Sequence, residues 1–133
     1  MKCLVAAATE QELRPLRERL SGKALNVDVD FLVTGVGMVS ATYALTRVLT
    51  KIKYDQALQI GIAGTLADRL PLLSVAAVSE DHFIELGAED NGRILSLEEM
   101  GLSGIDRVRS SFGPNLELPA GIRWARAITV NRV

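Results

Sequence analysis

The groups able to do chemistry in this chain gather in three short stretches, each at the end of an apolar run: Thr9-Glu10-Gln11-Glu12, Thr34-Gly35-Val36-Gly37 and Ile60-Gly61-Ile62-Ala63-Gly64. The first offers carboxylates and the other two offer bare main chain. A carboxylate at the end of a strand can orient a water molecule and accept its proton, and glycine lets a backbone approach a ligand closely. Glu12, with Glu10 as its rival, and the two glycine turns therefore describe one small-molecule site at the carboxyl ends of parallel strands. That is where open α/β sheets usually bind.

Each feature also has a plain structural reading. Thr9-x-x-Glu12 has capping-box spacing, so Glu12 can simply reach back to its own helix terminus. Gly35-Val36-Gly37 between strand and helix is part of a dinucleotide-binding fingerprint, but Ser40 stands where the third glycine is due and no acidic residue closes the next strand. A tight turn with close packing accounts for the same two glycines. Gly61-Ile62-Ala63-Gly64 has no reactive side chain, so any role comes from backbone and shape, as a floor for a planar or sugar ligand. His82 is in a position to meet a substrate, yet beside Glu80, Asp81 and Glu85 it has the surroundings of a solvated residue.

The elements that must position these groups follow from periodicity. Residues 3–8 are a short continuous apolar run, predicting a strand buried on both faces, and Leu13, Leu16 and Leu20 then recur at helical spacing. Pro15 belongs near the start of that helix, where N–H groups lack partners anyway; Ser21-Gly22-Lys23 ends it. Val27, Val29, Phe31 and Val33 alternate as a second strand, and Ala41, Ala44, Leu45, Val48 and Leu49 form the apolar stripe of a second helix. Residues 57–62 and 72–78 are predicted as third and fourth strands, 80–113 mainly as loop with short elements, and 125–130 as a last strand. Strand and helix alternation implies parallel pairing. A strand so near the end, with no helix after it to cover the sheet, predicts a domain cut off partway.

Bulk composition narrows the function classes. With 133 residues, 48% of them apolar, one core and one domain spanning residues 1–133 are expected. Fifteen basic and 16 acidic residues are well mixed, and Arg123, Arg126 and Arg132 make no continuous basic face with Trp124, so no nucleic-acid or anionic-membrane footprint is present. The single cysteine, Cys3, allows no internal disulfide, and one histidine with one cysteine makes no zinc site. The apolar run after Met1-Lys2 is too short for a signal peptide or a membrane span, so a cytoplasmic protein is expected.

In order and approximate spacing, Thr9-Glu10-Gln11-Glu12-Leu13, Thr34-Gly35-Val36-Gly37-Met38, Ile60-Gly61-Ile62-Ala63-Gly64 and Ile128-Thr129-Val130-Asn131 resemble the purine nucleoside phosphorylase and nucleosidase superfamily. Within it, Val78-Ser79-Glu80-Asp81 and Glu85-Leu86-Gly87-Ala88-Glu89-Asp90 make the chain more similar to the futalosine hydrolases than to the methylthioadenosine/S-adenosylhomocysteine nucleosidases. The resemblance covers essentially the whole chain and the first part of a family member. It implies an α/β fold with a mixed, largely parallel central sheet flanked by helices, nucleoside phosphorylase-like and incomplete at the C-terminus.

The implied reaction is hydrolysis of the N-glycosidic bond of futalosine, giving hypoxanthine and dehypoxanthine futalosine in menaquinone biosynthesis. The substrate is a small nucleoside, no cofactor or metal is implied, and a homodimer or higher homo-oligomer is expected. By the same resemblance Glu12 falls on the water-activating carboxylate, Gly35, Val36 and Gly37 lie beside the ribose and water, and Ile62, Ala63 and Gly64 line the nucleoside pocket. The family's Met-Glu pair on the ribose hydroxyls and its purine-protonating aspartate fall past Val133. A phosphorylase needs basic groups around phosphate, and the first two glycine turns hold no arginine, which favours water. The non-enzymatic alternative is an inactive, truncated binding module.

Overall fold

A computed structural model describes residues 1–66, 70–102, 104–111 and 117–130. They fall into two compact units, Met1–Gly64 and Thr65–Val133.

In the first unit β1 (Lys2–Ala7), α1 (Glu10–Leu20), β2 (Asp28–Val33), α2 (Met38–Leu49) and β3 (Gln56–Gln59) alternate, and the strands form an all-parallel sheet in the order β2-β1-β3. Val5 of β1 lies opposite Phe31 of β2 and Leu58 of β3. The apolar run of β1 needs cover on both faces because successive side chains point opposite ways. Both faces are covered: Leu4 and Ala6 on one, Val5 and Ala7 on the other, are buried. Val5, Ala7 and Leu13 of α1 pack with Cys3, Leu16, Val29, Phe31 and Ile60 as the core. The chain steps from β1 out to β2 and then back across β1 to β3. The right-handed rule for such crossovers, applied to these two opposite senses, assigns α1 and α2 to opposite faces of the sheet.

Local sequence explains both helices. Thr9 caps α1, Glu10 and Glu12 sit in its first turn, and Arg17 and Arg19 sit in its last, each sign matched to the helix dipole. Pro15 is farther in than expected, in the second turn, so it supplies no N–H to the Gln11 carbonyl. The predicted stripe of α2 is its covered side: Ala41, Ala44, Leu45 and Val48 are half-buried, although Leu49 is exposed. The third strand is shorter than the predicted 57–62, and all four of its residues are exposed rather than buried. The reason is position, since β3 pairs only with β1 and is an edge of the sheet.

In the second unit β4 (Ala76–Phe83) is central in a mixed sheet of order β7-β4-β8, antiparallel to β7 (Arg107–Arg109) and parallel to β8 (Arg123–Thr129). A bulge between Val78 and Glu80 shifts the β4 register. β5 (Gly87–Asp90) and β6 (Arg93–Ser96) form a separate antiparallel hairpin. Its turn is Asn91-Gly92, with φ of +50° and +79°, the backbone that a two-residue hairpin turn demands.

The chain is thus α/β with mixed sheets, but two sequence expectations need correction. One central sheet flanked by helices was predicted; the described strands instead make three sheets, with only two helices beside eight strands. Among the described residues no helix follows β3, and β4 pairs with β7 and β8 instead of with β1, β2 or β3. The fourth strand is displaced from 72–78 to Ala76–Phe83, and the stretch expected to be mainly loop holds β5, β6 and β7. Asn131 of the last family-like motif lies outside the described residues.

Candidate active site

Because β1, β2 and β3 are parallel, their following loops emerge at one edge of the sheet. Chain order reverses between β1, which leads away toward β2, and β3 on its other side. Such a switch point leaves a crevice at the carboxyl ends of the two strands. A cleft of about 290 Å³ lies there, lined by Gln11, Glu12, Pro15, Ile60, Gly61 and Ile62.

Glu12 is the charged group of this cleft. Its Oε2 accepts from the Thr9 backbone N–H at 2.9 Å and from the Thr9 hydroxyl at 2.8 Å. The Glu12 N–H donates in return to Thr9 Oγ1 at 3.4 Å, completing the expected capping box. The Ile62 N–H donates to Oε1 at 3.1 Å, joining the helix terminus to the turn after β3. The Thr9 hydroxyl has the largest effect on the Glu12 carboxyl; burial, next in size, opposes it, and the N–H groups of Ile62, Thr9 and Ala8 add to it, leaving the carboxyl below its ordinary range. Glu12 is therefore an anion at neutral pH. A Cβ built on Gly61 would stand 3.2 Å from Oε1, so the absence of a side chain there leaves that oxygen uncrowded.

The other sequence-predicted residues do not all meet at this point. Ile62 reaches Glu12 through its backbone while its side chain is 90% exposed. Ala63 and Gly64 are exposed and do not line the cleft. Gly35, Val36 and Gly37 do not line it either. The Gly35 turn has its own structural cause: φ is +81° at Gly35 and +93° at Gly37, and a Cβ on Gly35 would lie 3.2 Å from Ser40 Cβ. Thr34 anchors the turn, buried, with its hydroxyl on the Ala7 and Gly35 carbonyls. Glu10, the rival carboxylate, is paired with Arg17 at 2.8 Å on the helix surface. A larger concavity of about 720 Å³ sits at the amino ends of β1 and β2. Its one carboxylate, Asp28, is bound to Lys2 and largely exposed, so it offers no comparable chemistry.

Sequence reasoning missed an ionic cluster in the second unit. Glu80 on β4 contacts His82 Nε2 at 2.5 Å, Arg109 at 2.8 Å and Arg107 at 3.9 Å. His82, then Arg109, lower the Glu80 carboxyl to about 2. His82 is thus a half-buried partner of Glu80, not a freely solvated residue. Alongside, Thr129 donates to Asp81 Oδ2 at 2.6 Å, and Asp81 Oδ1 is buried without a partner. The available signal was Arg107-x-Arg109, whose two-residue spacing puts both charges on one face of a strand.

Among the described residues no group of three or more His, Cys, Asp or Glu is placed to hold a metal ion, and no helix is long and apolar enough to cross a membrane. No model of a known protein family matches the chain, and no curated protein matches it significantly.

Proposed function

We propose that the chain belongs to a nucleoside N-glycosyl hydrolase in which Glu12 orients the attacking water, with futalosine as substrate and hypoxanthine as the released base. The observation that carries this reading is the Glu12 carboxylate, fixed between the start of α1 and the glycine turn after β3 at the switch point of a parallel sheet. Cleavage of an N-glycosidic bond builds positive charge on the sugar. A fixed anion beside that charge stabilises it and aligns a water for attack. With its carboxyl held low, Glu12 contributes chiefly by orientation and charge, accepting the proton only as the water bonds to the anomeric carbon and becomes acidic. The main chain of Gly61 and Ile62 supplies a wall against which a flat ligand rests. On this reading the protein works in the cytoplasm as a homo-oligomer and needs neither metal nor cofactor.

One observation favours a second, non-enzymatic reading: Oε2 of Glu12 is held by the N–H and the hydroxyl of Thr9 alone, as a purely structural cap would have it. Chromatography separates the two. The chain is incubated with futalosine, methylthioadenosine and inosine, with and without phosphate. Hypoxanthine released from futalosine without phosphate, and lost in Glu12→Gln, supports the hydrolase. Phosphate-dependent release would indicate a phosphorylase, adenine from methylthioadenosine the related nucleosidase, and binding with no release a binding module.

A further inference from the structure

The carboxylate of Glu12 is not symmetric in its surroundings. Each of its oxygens has two acceptor directions. Two hydrogen bonds fall on Oε2, from the N–H and the hydroxyl of Thr9, and one on Oε1, from the Ile62 N–H, with the Ala8 N–H exerting a weaker pull on the same carboxylate. The remaining direction belongs to the oxygen that bare Gly61 leaves uncrowded in the cleft. Thr9 is also the only one of these partners that both gives and takes: its hydroxyl donates to Oε2 and accepts from the Glu12 N–H, so side chain and backbone of Glu12 are tied to one atom.

We propose that Thr9 is a positioning residue that occupies Oε2 completely and so commits Oε1 of Glu12 as the single oxygen offered to a water or substrate hydroxyl. An N-cap serine, aspartate or asparagine would equally satisfy a helix end. The hydroxyl adds a requirement that a cap alone does not: it must donate to the carboxylate while accepting from the backbone, which aspartate cannot do. The inference rests on the hydrolase reading for its catalytic consequence, while the clamp itself is a property of the fold. Among the described residues that line the cleft, no other side chain is charged. The rest of the cleft is Gln11, Pro15, Ile60, Gly61 and Ile62, and α1 presents Pro15 and Leu16, both uncharged, at the positions one turn on from Glu12.

The test compares Thr9→Val, Thr9→Ser and Thr9→Asp in the full chain, with helix content checked by circular dichroism. The Glu12 carboxyl carbon is titrated by NMR alongside the pH profile of hypoxanthine release. Valine is expected to raise the Glu12 pKa toward its ordinary 4.5 and serine to restore the low value. Aspartate is expected to keep the helix but not the low pKa. In release, valine and aspartate should reduce kcat on the order of tenfold with little change in KM, and serine should recover it. An unchanged titration in a folded Thr9→Val or Thr9→Asp protein would overturn the clamp whatever the catalytic result. A titration that shifts as expected in a wild-type protein that carries this chain together with the ribose-binding and purine-protonating residues, yet releases no base, would overturn the hydrolase reading and leave the clamp standing. A shifted titration with undiminished kcat would overturn the positioning role.

Discussion

Glu12→Gln is the most informative single change, because glutamine preserves size and helix propensity yet cannot accept at both ends. Thr9 N–H and O–H point at Oε2 and Ile62 N–H points at Oε1. If the glutamine carbonyl faces Thr9, its NH₂ meets the Ile62 N–H donor to donor; turned over, it meets the two Thr9 donors. One side is therefore always lost. A hydrogen bond to a charged group contributes about 1.5–3 kcal/mol. Because Glu12 is only partly buried, solvent screening brings the expected loss to about 1 kcal/mol, roughly a 0.3–1 M drop in a urea midpoint for a small protein. The folded-state pKa lies below the unfolded one, so the advantage of glutamate is full above pH 4.5 and disappears as pH falls through the folded value. Urea titrations of both proteins at pH 7 and at pH 3 should show the gap at neutral pH and its narrowing in acid. Equal stability at pH 7, or a gap that persists unchanged in acid, would refute the two-sided acceptance by Glu12.

Further outcomes follow from other positions. Gly61→Ala should leave thermal stability nearly unchanged, since that backbone is not left-handed, but lower base release, because the new Cβ falls 3.2 Å from Glu12 Oε1; equal release would detach Gly61 from the site. Gly35→Ala should cost about 1–2 kcal/mol for its φ of +81°, with added crowding of Ser40, as a fall in melting temperature. In the second unit the low Glu80 carboxyl makes its stabilising effect full above pH 4.5 and progressively lost as pH falls toward about 2. Acid titration of stability in Glu80→Gln should lack that component, and an unchanged acid profile would show that the contacts with His82 and Arg109 carry no net weight. Asn91→Val should disrupt the β5–β6 hairpin, because a β-branched residue resists the φ of +50° there; unchanged β5–β6 amide protection in hydrogen exchange would contradict this.

How far the sequence reveals the fold depends on whether local rules or distant partners decide each element. The run before Thr9 and the stripe of α1 sit in the first unit where periodicity places them, because β1 is buried on both faces and α1 on one. The capping box was equally legible, being a contact over three residues. β3 was misjudged because an apolar run looks the same at an edge as in the centre of a sheet. Burial there is set by whether another strand arrives, which no local pattern records. β4 was displaced for the converse reason: Glu80, Asp81 and His82 argue against a strand on propensity, and only Arg107, Arg109 and Thr129 from elsewhere in the chain make their places in one tolerable. The hairpin differs from both. Asn91-Gly92 is a strong local turn signal, but Gly87 and the charges around it obscured the short strands that flank it.

The same distinction governs the site. Glu12 was legible as a candidate because its position after β1 and its spacing from Thr9 are local, whereas its bond to Ile62 spans two crossovers and comes only with the sheet order β2-β1-β3. That long-range bond goes beyond what a cap requires. A capping glutamate needs nothing beyond its own first turn, yet this one also draws in the backbone of the turn after β3, at a point where Gly61 keeps the approach clear. Gly35 and Gly37 stand on the other side of the distinction: a positive φ favours glycine at both, and the closeness of Ser40 is a further structural cause at Gly35. The weight of the functional reading therefore rests on the turn after β3. Changes there that spare folding are expected to alter chemistry first, and changes in the β2 turn to alter stability first.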